Sequence, residues 1–147
     1  MVKIILAVDG SEPSLAATRA LIKHRAMFID PVEIHLLHVS APIPRLYGMH
    51  VVMDNSTIER IIREDADLAM MSSTILLDKW GIAYKREHFV GEAAFVINDY
   101  ATTHEADFIY VGTRGLSAFR GAVLGSTTMK LLQSAKTPIV VIHANEH

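Results

Sequence analysis

Three glycines in the last third of the chain carry the clearest chemical signal. From Val111 to Thr128 the sequence reads VGTRGLSAFRGAVLGSTT, which sets Gly112, Gly115 and Gly125-Ser126 at a G-x2-G-x9-G-[S/T] spacing. An apolar run precedes the first glycine and a helical pattern follows the last. Glycine lets a main chain approach a ligand closely, and the first turn of a helix offers N–H groups without intrahelical acceptors. With the hydroxyls of Ser126, Thr127 and Thr128, this segment can cradle a phosphate at the positive end of a helix dipole. Arg114, inside the loop, either adds positive charge there or points to solvent. Asp9 ends a different apolar run, MVKIILAVD. A carboxylate does not attract phosphate by itself, so its chemistry is ribose hydroxyls or a Mg²⁺ bridged to phosphate oxygens.

The elements that must position these residues are readable from periodicity. Val2 to Val8 is apolar apart from Lys3 and reads as a strand buried on both faces. Ser11 caps a helix reaching about Met27, with Pro13 in its first turn and Leu15, Ala16, Ala20, Leu21, His24 and Phe28 at helical spacing. Val32 to Val39 is a second strand, and residues 40–55, with Pro42, Pro44 and Gly48, form a long loop. Asn55 or Ser56 caps the next helix. Its stripe runs through Ile58, Ile61, Ile62, Ala66, Ala69, Ser73, Leu76 and Leu77 to Trp80, and Gly81 ends it. Residues 82–90 alternate as a strand with one wetter face, suited to a sheet edge. A helix follows Gly91-Glu92 to about Thr103, with Ala94, Ile97 and Ala101 on one side. Asp107 to Val111 is the fourth strand, Ser126 to Ser134 a fourth helix, and Ile139 to His143 a last strand opened by Thr137-Pro138.

Five strands alternating with four helices predict a doubly wound α/β protein, a five-stranded parallel sheet in one domain spanning residues 1–147. Ligands of such sheets sit at strand carboxyl ends where the strand order reverses. If the first and fourth strands are neighbours there, Asp9 and the glycine loop face one crevice.

Composition narrows the function classes. The 147 residues carry a formal net charge of −2, which gives no electrostatic reason for a nucleic-acid or anionic-membrane partner. Zero cysteines remove disulfides and thiolate metal sites and fit a reducing compartment. No window reaches the roughly 18 apolar residues of a membrane span, and the apolar stretch Ile4 to Val8 is too short for a signal peptide. A cytoplasmic location is the simplest expectation. His35 and His38 fall on opposite strand faces, so no dedicated transition-metal site is expected. Met49, Met53, Met70 and Met71 are read as core filling, and the charged run Glu59 to Asp67 as a solvated helix face.

These segments together resemble the universal stress protein family, over nearly the whole chain. AVDGS at 7–11, LLHV at 36–39, DFIYVGTRG at 107–115, LGSTT at 124–128 and TPIVVI at 137–142 carry the likeness. The glycine spacing is similar to that of members that bind ATP. The resemblance implies strand order 3-2-1-4-5. It also implies Ala7 and Asp9 on the ribose side, and the Val39 backbone paired with adenine. Gly112, Thr113, Arg114 and Gly115 would then form the phosphate cradle with Gly125, Ser126, Thr127 and Thr128. It implies, too, a homodimer through Ile139 to His143. The stretch from Ala118 to Ala122 departs from the family's usual filling of the x9 segment.

Three functions compete on this sequence. A phosphate cradle without a P-loop lysine or an adjacent water-orienting residue favours a regulatory module that holds ATP and contacts a regulated protein. A slow Mg-dependent ATPase, or a nucleotide-activating enzyme of a related fold, is the alternative, although DGSEPS is unlike an adenylating enzyme's phosphate loop. A phosphorylation receiver needs an acceptor aspartate after the third strand, where Val90-Gly91 stands.

Overall fold

The computed structural model describes residues 1–42, 54–113 and 124–144. Its five parallel strands are β1 (Val2–Ala7), β2 (Val32–Ser40), β3 (Tyr84–Val90), β4 (Phe108–Gly112) and β5 (Ile139–Ile142). Its four α-helices are α1 (Glu12–His24), α2 (Asn55–Lys79), α3 (Ala93–Thr103) and α4 (Ser126–Ser134). The sheet runs β3-β2-β1-β4-β5, so the order reverses between β1 and β4. There Ala7 lies opposite Val111, and β1 meets β2 on its other side with Ala7 opposite Leu37.

The period-2 alternation of β1 explains the two layers. Ile4, Leu6 and Val8 join Ile34 and Leu36 of β2 under α1 and α2, where Leu21, Met70 and Leu77 complete the cluster. Ile5 and Ala7 point the other way, to Ile97, Tyr100 and Ala101 of α3 and Leu131 of α4. Burying each isoleucine or leucine in these layers contributes about 1.5–3 kcal/mol. The nearly continuous apolar run of β1 is therefore a consequence of helices on both faces.

Several expected boundaries move for local reasons. The first helix stops at His24 and continues as a 3-10 turn over Arg25–Met27. Its buried face is Ala17, Thr18 and Leu21 with Pro13 and Ser14, rather than Leu15, Ala16 and Ala20. Thr18 fits because its hydroxyl meets that of Ser73 on α2 at 2.9 Å, a paired polar contact inside the helix interface. The cap of α2 is Asp54, whose carboxylate accepts the Thr57 N–H at 2.8 Å, in place of Asn55 or Ser56. Ile82 belongs to the turn before β3, its N–H bonded to the Leu77 carbonyl. Ile61 and Trp80, assigned to the core stripe of α2, are 38% and 62% exposed. Met70 is buried, as a core methionine should be, whereas Met71 is exposed; Met49 and Met53 lie outside the described residues. β3 does sit at the sheet edge.

One strand-end glycine is dictated by packing. A Cβ at Gly112 would lie 2.3 Å from the backbone C and O of Pro13, at the start of α1. Gly10, with φ +83, occupies the left-handed region in the turn between β1 and α1 and lies against the backbone of Ala69.

On the opposite layer, His35 is almost fully buried between Tyr100 and Glu33, at 2.8 Å from the Tyr100 hydroxyl and 2.7 Å from Glu33 Oε1. The hydrogen bond from His35, and then that from Lys85, hold the Glu33 carboxyl down at about 2. A depressed carboxylate stabilises fully above its unfolded value near 4.5 and loses that contribution as pH falls through about 2. Urea midpoints measured against pH should therefore decline in the wild type between these limits, with Glu33→Gln lacking that part of the decline. Gly112→Ala forces a methyl into main chain and should cost about 1–3 kcal/mol or more. An unchanged melting temperature would refute that packing role.

Candidate functional site

The crevice at the reversal point is a cleft of about 460 Å³, within the usual size of small-molecule sites. Asp9 and Ser11 from the β1–α1 turn form one wall, and Val111 and Gly112 of β4 form the floor beside Ala7. Val39 and Ser40 of β2 reach the cleft from one side, Thr127 and Thr128 of α4 from the other. Of the residues singled out by sequence, Ala7, Asp9, Val39, Gly112, Thr127 and Thr128 thus converge. Thr113, Gly125 and Ser126 adjoin them in the chain without lining the cleft. Arg114 and Gly115 lie outside the described residues.

Strand lengths make Val39 distinctive. The β1–β2 register stops at Ala7 opposite Leu37, and the Val8 N–H closes it on the Leu37 carbonyl at 2.9 Å. The β2–β3 register continues through Val39 with Phe89 and Ser40 with Val90. The edge of Val39 that faces away from β3 therefore passes the end of the β1 ladder and enters the cleft, where its backbone can read a flat polar edge.

The four helix starts are not equivalent. Ser11 caps α1, Asp54 caps α2, and Glu92 caps α3 by accepting the N–H groups of Ala94 and Phe95. α4 begins at Gly125, which supplies no side-chain cap, and its first intrahelical bond is Met129 N–H to the Gly125 carbonyl. The N–H groups of Ser126, Thr127 and Thr128 precede that bond and have no partner among the described residues, so the described part of α4 turns its positive end to the cleft. Two neighbouring donors are committed elsewhere. The Thr113 N–H bonds the Ile142 carbonyl at 2.9 Å, and the Thr128 hydroxyl bonds the Gly112 carbonyl at 3.1 Å.

Carboxylates dominate the charged lining. Asp9, Asp65 and Glu92 face the cleft, and no described lining residue is lysine or arginine. The Phe95 N–H is the main cause lowering the Glu92 carboxyl. Asp65 is lowered first by the Ser40 hydroxyl, which donates to Oδ2 at 2.7 Å, and further by His38 at 3.2 Å. The Asp9 Oδ1 accepts the Ser11 N–H at 2.9 Å, a turn-forming bond that engages one of its two carboxylate oxygens. A bound polyphosphate needs its charge balanced here by the α4 amides, by a loop arginine or by a divalent cation. Asp9, at the end of β1 beside Gly112 and Thr127 in the lining, fits the last of these roles.

His38 and Asp65 were not legible as site residues. His38 alternates onto the α2 side of β2, and its Nδ1 lies 2.8 Å from the Val8 carbonyl. A carbonyl only accepts, so that nitrogen carries a proton and donates. Asp65 sits in the charged run read as solvated; Glu59, Arg60, Arg63, Glu64 and Asp67 are indeed exposed, and Asp65 alone of them turns to β2. The expectation that His35 and His38 face opposite ways holds. Among the described residues no cluster of three metal-ligating side chains occurs, and no helix is long and apolar enough to cross a membrane.

Residues 1–143 match the family profile described as the universal stress protein family. A universal stress protein of Methanocaldococcus jannaschii is 26% identical over 140 residues, covering 95% of this chain and 81% of that protein. Two solved structures share the fold. One is a universal stress protein family protein from Arabidopsis thaliana with AMP bound, at a TM-score of 0.68 and 17% identity, covering 99% of this chain and 93% of that one. The other is the universal stress protein from Archaeoglobus fulgidus in complex with dAMP, at 0.59 and 21%, covering 97% and 98%.

The Ser40–Asp65 contact ties β2 to α2 across the mouth of the cleft. Ser40→Ala should raise the Asp65 carboxyl toward its ordinary value and cost about 0.5–1 kcal/mol at pH 7, small because Asp65 is half-exposed. That deficit should begin to shrink below pH 3.8, where the carboxyl of the unfolded chain protonates, and should vanish as pH falls through the lower value of the folded chain. Paired urea titrations at pH 7 and 3 check both the size and the direction.

Proposed function

Because the chain belongs to the universal stress protein family, we propose that it is a regulatory module that binds an adenine nucleotide, with ATP as its ligand. The observation that carries this reading is the N-terminus of α4, without a side-chain cap from Gly125, across one cleft from the Val39 strand edge at the sheet reversal. The base pairs with the Val39 backbone, and the ribose lies along Ala7 and Asp9. The phosphates rest on the amides of Ser126, Thr127 and Thr128 and on the loop from Gly112 through Thr113 and Arg114 to Gly115, with Gly125 as the turn into α4. A Mg²⁺ held between Asp9 and the phosphates offsets the acidic lining. Fold neighbours solved with AMP and dAMP support the ligand class.

Regulation is favoured over turnover by the state of the cleft's carboxylates. Asp65 is engaged by Ser40 and His38, and Glu92 by two backbone amides. These hydrogen bonds lower both carboxyls, which weakens them as general bases. The module acts in the cytoplasm as a homodimer, pairing through β5 and His143, and signals its nucleotide state to a regulated protein.

Isothermal titration with ATP, AMP and GTP tests the reading. ATP should bind, more tightly with Mg²⁺ than without it, and Asp9→Asn should remove most of that Mg²⁺ dependence. Gly112→Val is a poor site probe, since its methyls collide with Pro13. Phosphate release at an ordinary enzymic rate, on the order of 10 per second, would reassign the protein as an ATPase. No heat with any adenine nucleotide would sink the binding function itself.

A further inference from the structure

The helix α2 has two apolar faces, and only one of them meets the sheet. Ala66, Met70, Ser73 and Leu77 are buried. On the opposite side, Thr57, Ile61, Glu64, Leu68, Met71 and Ile75 recur at alternating spacings of four and three. At about 100° per residue they fall in a strip about 80° wide. The four large apolar members are exposed: Ile61 at 38%, Leu68 at 68%, Met71 at 50% and Ile75 at 61%. An alternating four-three spacing of apolar residues is the seam of a paired helix, narrower than the face a helix needs to cover a sheet. A solvated helix face has no physical use for it.

We propose that this seam packs antiparallel against the same seam of a second copy of this chain, with Leu68 on the two-fold axis. This interface is independent of the nucleotide reading and lies on a different face from β5. Charge selects the occupant and its direction. About Leu68, an antiparallel register sets Ile61 against the partner's Ile75. It also brings Arg60 within about 3 Å, along the axis, of the partner's Asp78. Each dimer gains that pair twice. Glu64 then meets the partner's Ser72, whereas a parallel register would press it against its own copy. Asp67 comes close to itself in the antiparallel register, and Arg86 already pairs with it within the chain. The seam from Thr57 to Ile75 is about 27 Å long. So modest a contact predicts dissociation constants on the order of 10 µM.

The chain has no cysteine, which makes disulfide trapping specific. Leu68→Cys should form an interchain disulfide under mild oxidation of the full-length protein. Ile61→Cys and Ile75→Cys should each fail alone and cross-link when mixed. In sedimentation equilibrium, Leu68→Glu should weaken this association at least about tenfold, with far-UV circular dichroism unchanged because the position is exposed. Arg60→Asp should also weaken it, and adding Asp78→Arg should restore it. Absence of a disulfide at Leu68→Cys overturns the proposal, as would follow if another segment of the chain or an unrelated protein covered the seam. A disulfide from Ile61→Cys alone overturns the antiparallel arrangement.

Discussion

The structure depends on a main-chain contact: the end of β4 against the first turn of α1. Only hydrogen fits at the Cα of Gly112, because Pro13 and Ser14 occupy the space where a side chain would begin. This contact fixes the β1–α1 turn, and with it Asp9, relative to the strand that leads toward α4. Gly10 completes the arrangement from the other side, its left-handed backbone allowing the chain to double back over Ala69. Without both glycines the two strand ends at the sheet reversal would splay. The cleft between them would then lose its floor. The glycine that invites a ligand-based explanation is therefore first a packing glycine, and any ligand contact is built on top of that role.

Around this fixed point the electrostatics divide cleanly. The charged side chains among the cleft's described lining are carboxylates, while the start of α4 turns backbone amides toward it. Capping sets those amides apart among the described residues. Ser11, Asp54 and Glu92 each accept one or two of the orphan N–H groups of α1, α2 and α3, whereas Gly125 offers no side-chain acceptor of its own. A glycine in place of a Ser, Thr, Asp or Asn cap costs a helix only about a few tenths of a kcal/mol. A nine-residue helix such as α4 can tolerate that cost because Leu131 is fully buried and Thr128 ties its first turn to the Gly112 carbonyl.

The sequence-level reading recovered the architecture because its signals were redundant. The β1 run, the edge alternation of β3 and the strand-glycine junction at Val111-Gly112 each pointed to one doubly wound sheet, with the order supplied by resemblance. It missed what depends on long-range geometry. Asp54 outcompeted Asn55 and Ser56 as a cap because an ionised carboxylate is the stronger acceptor for a backbone N–H. His38 and Asp65 are 27 residues apart in the chain, and nothing local marks them as neighbours. Only the parity of β2, which sends His38 toward α2, hinted that the helix must answer it with a polar group.

The α2 stripe shows why a single periodic template misleads. Apolar residues on this helix belong to two strips on opposite sides, and a search for one strip merges them, drawing Ile61 into the core. Polarity on the inner strip sharpens the point. Ser73 faces the sheet side and is satisfied by Thr18 of α1, while Leu68 and Ile75 face outward. If the apolar pattern served only folding, the assignment would be reversed, since exchanging a buried hydroxyl pair for hydrocarbon is often neutral or better. The sequence instead keeps hydrocarbon on the face the monomer leaves open. The proposed pairing of two α2 helices gives that outward hydrocarbon a role that the stability of the monomer alone does not.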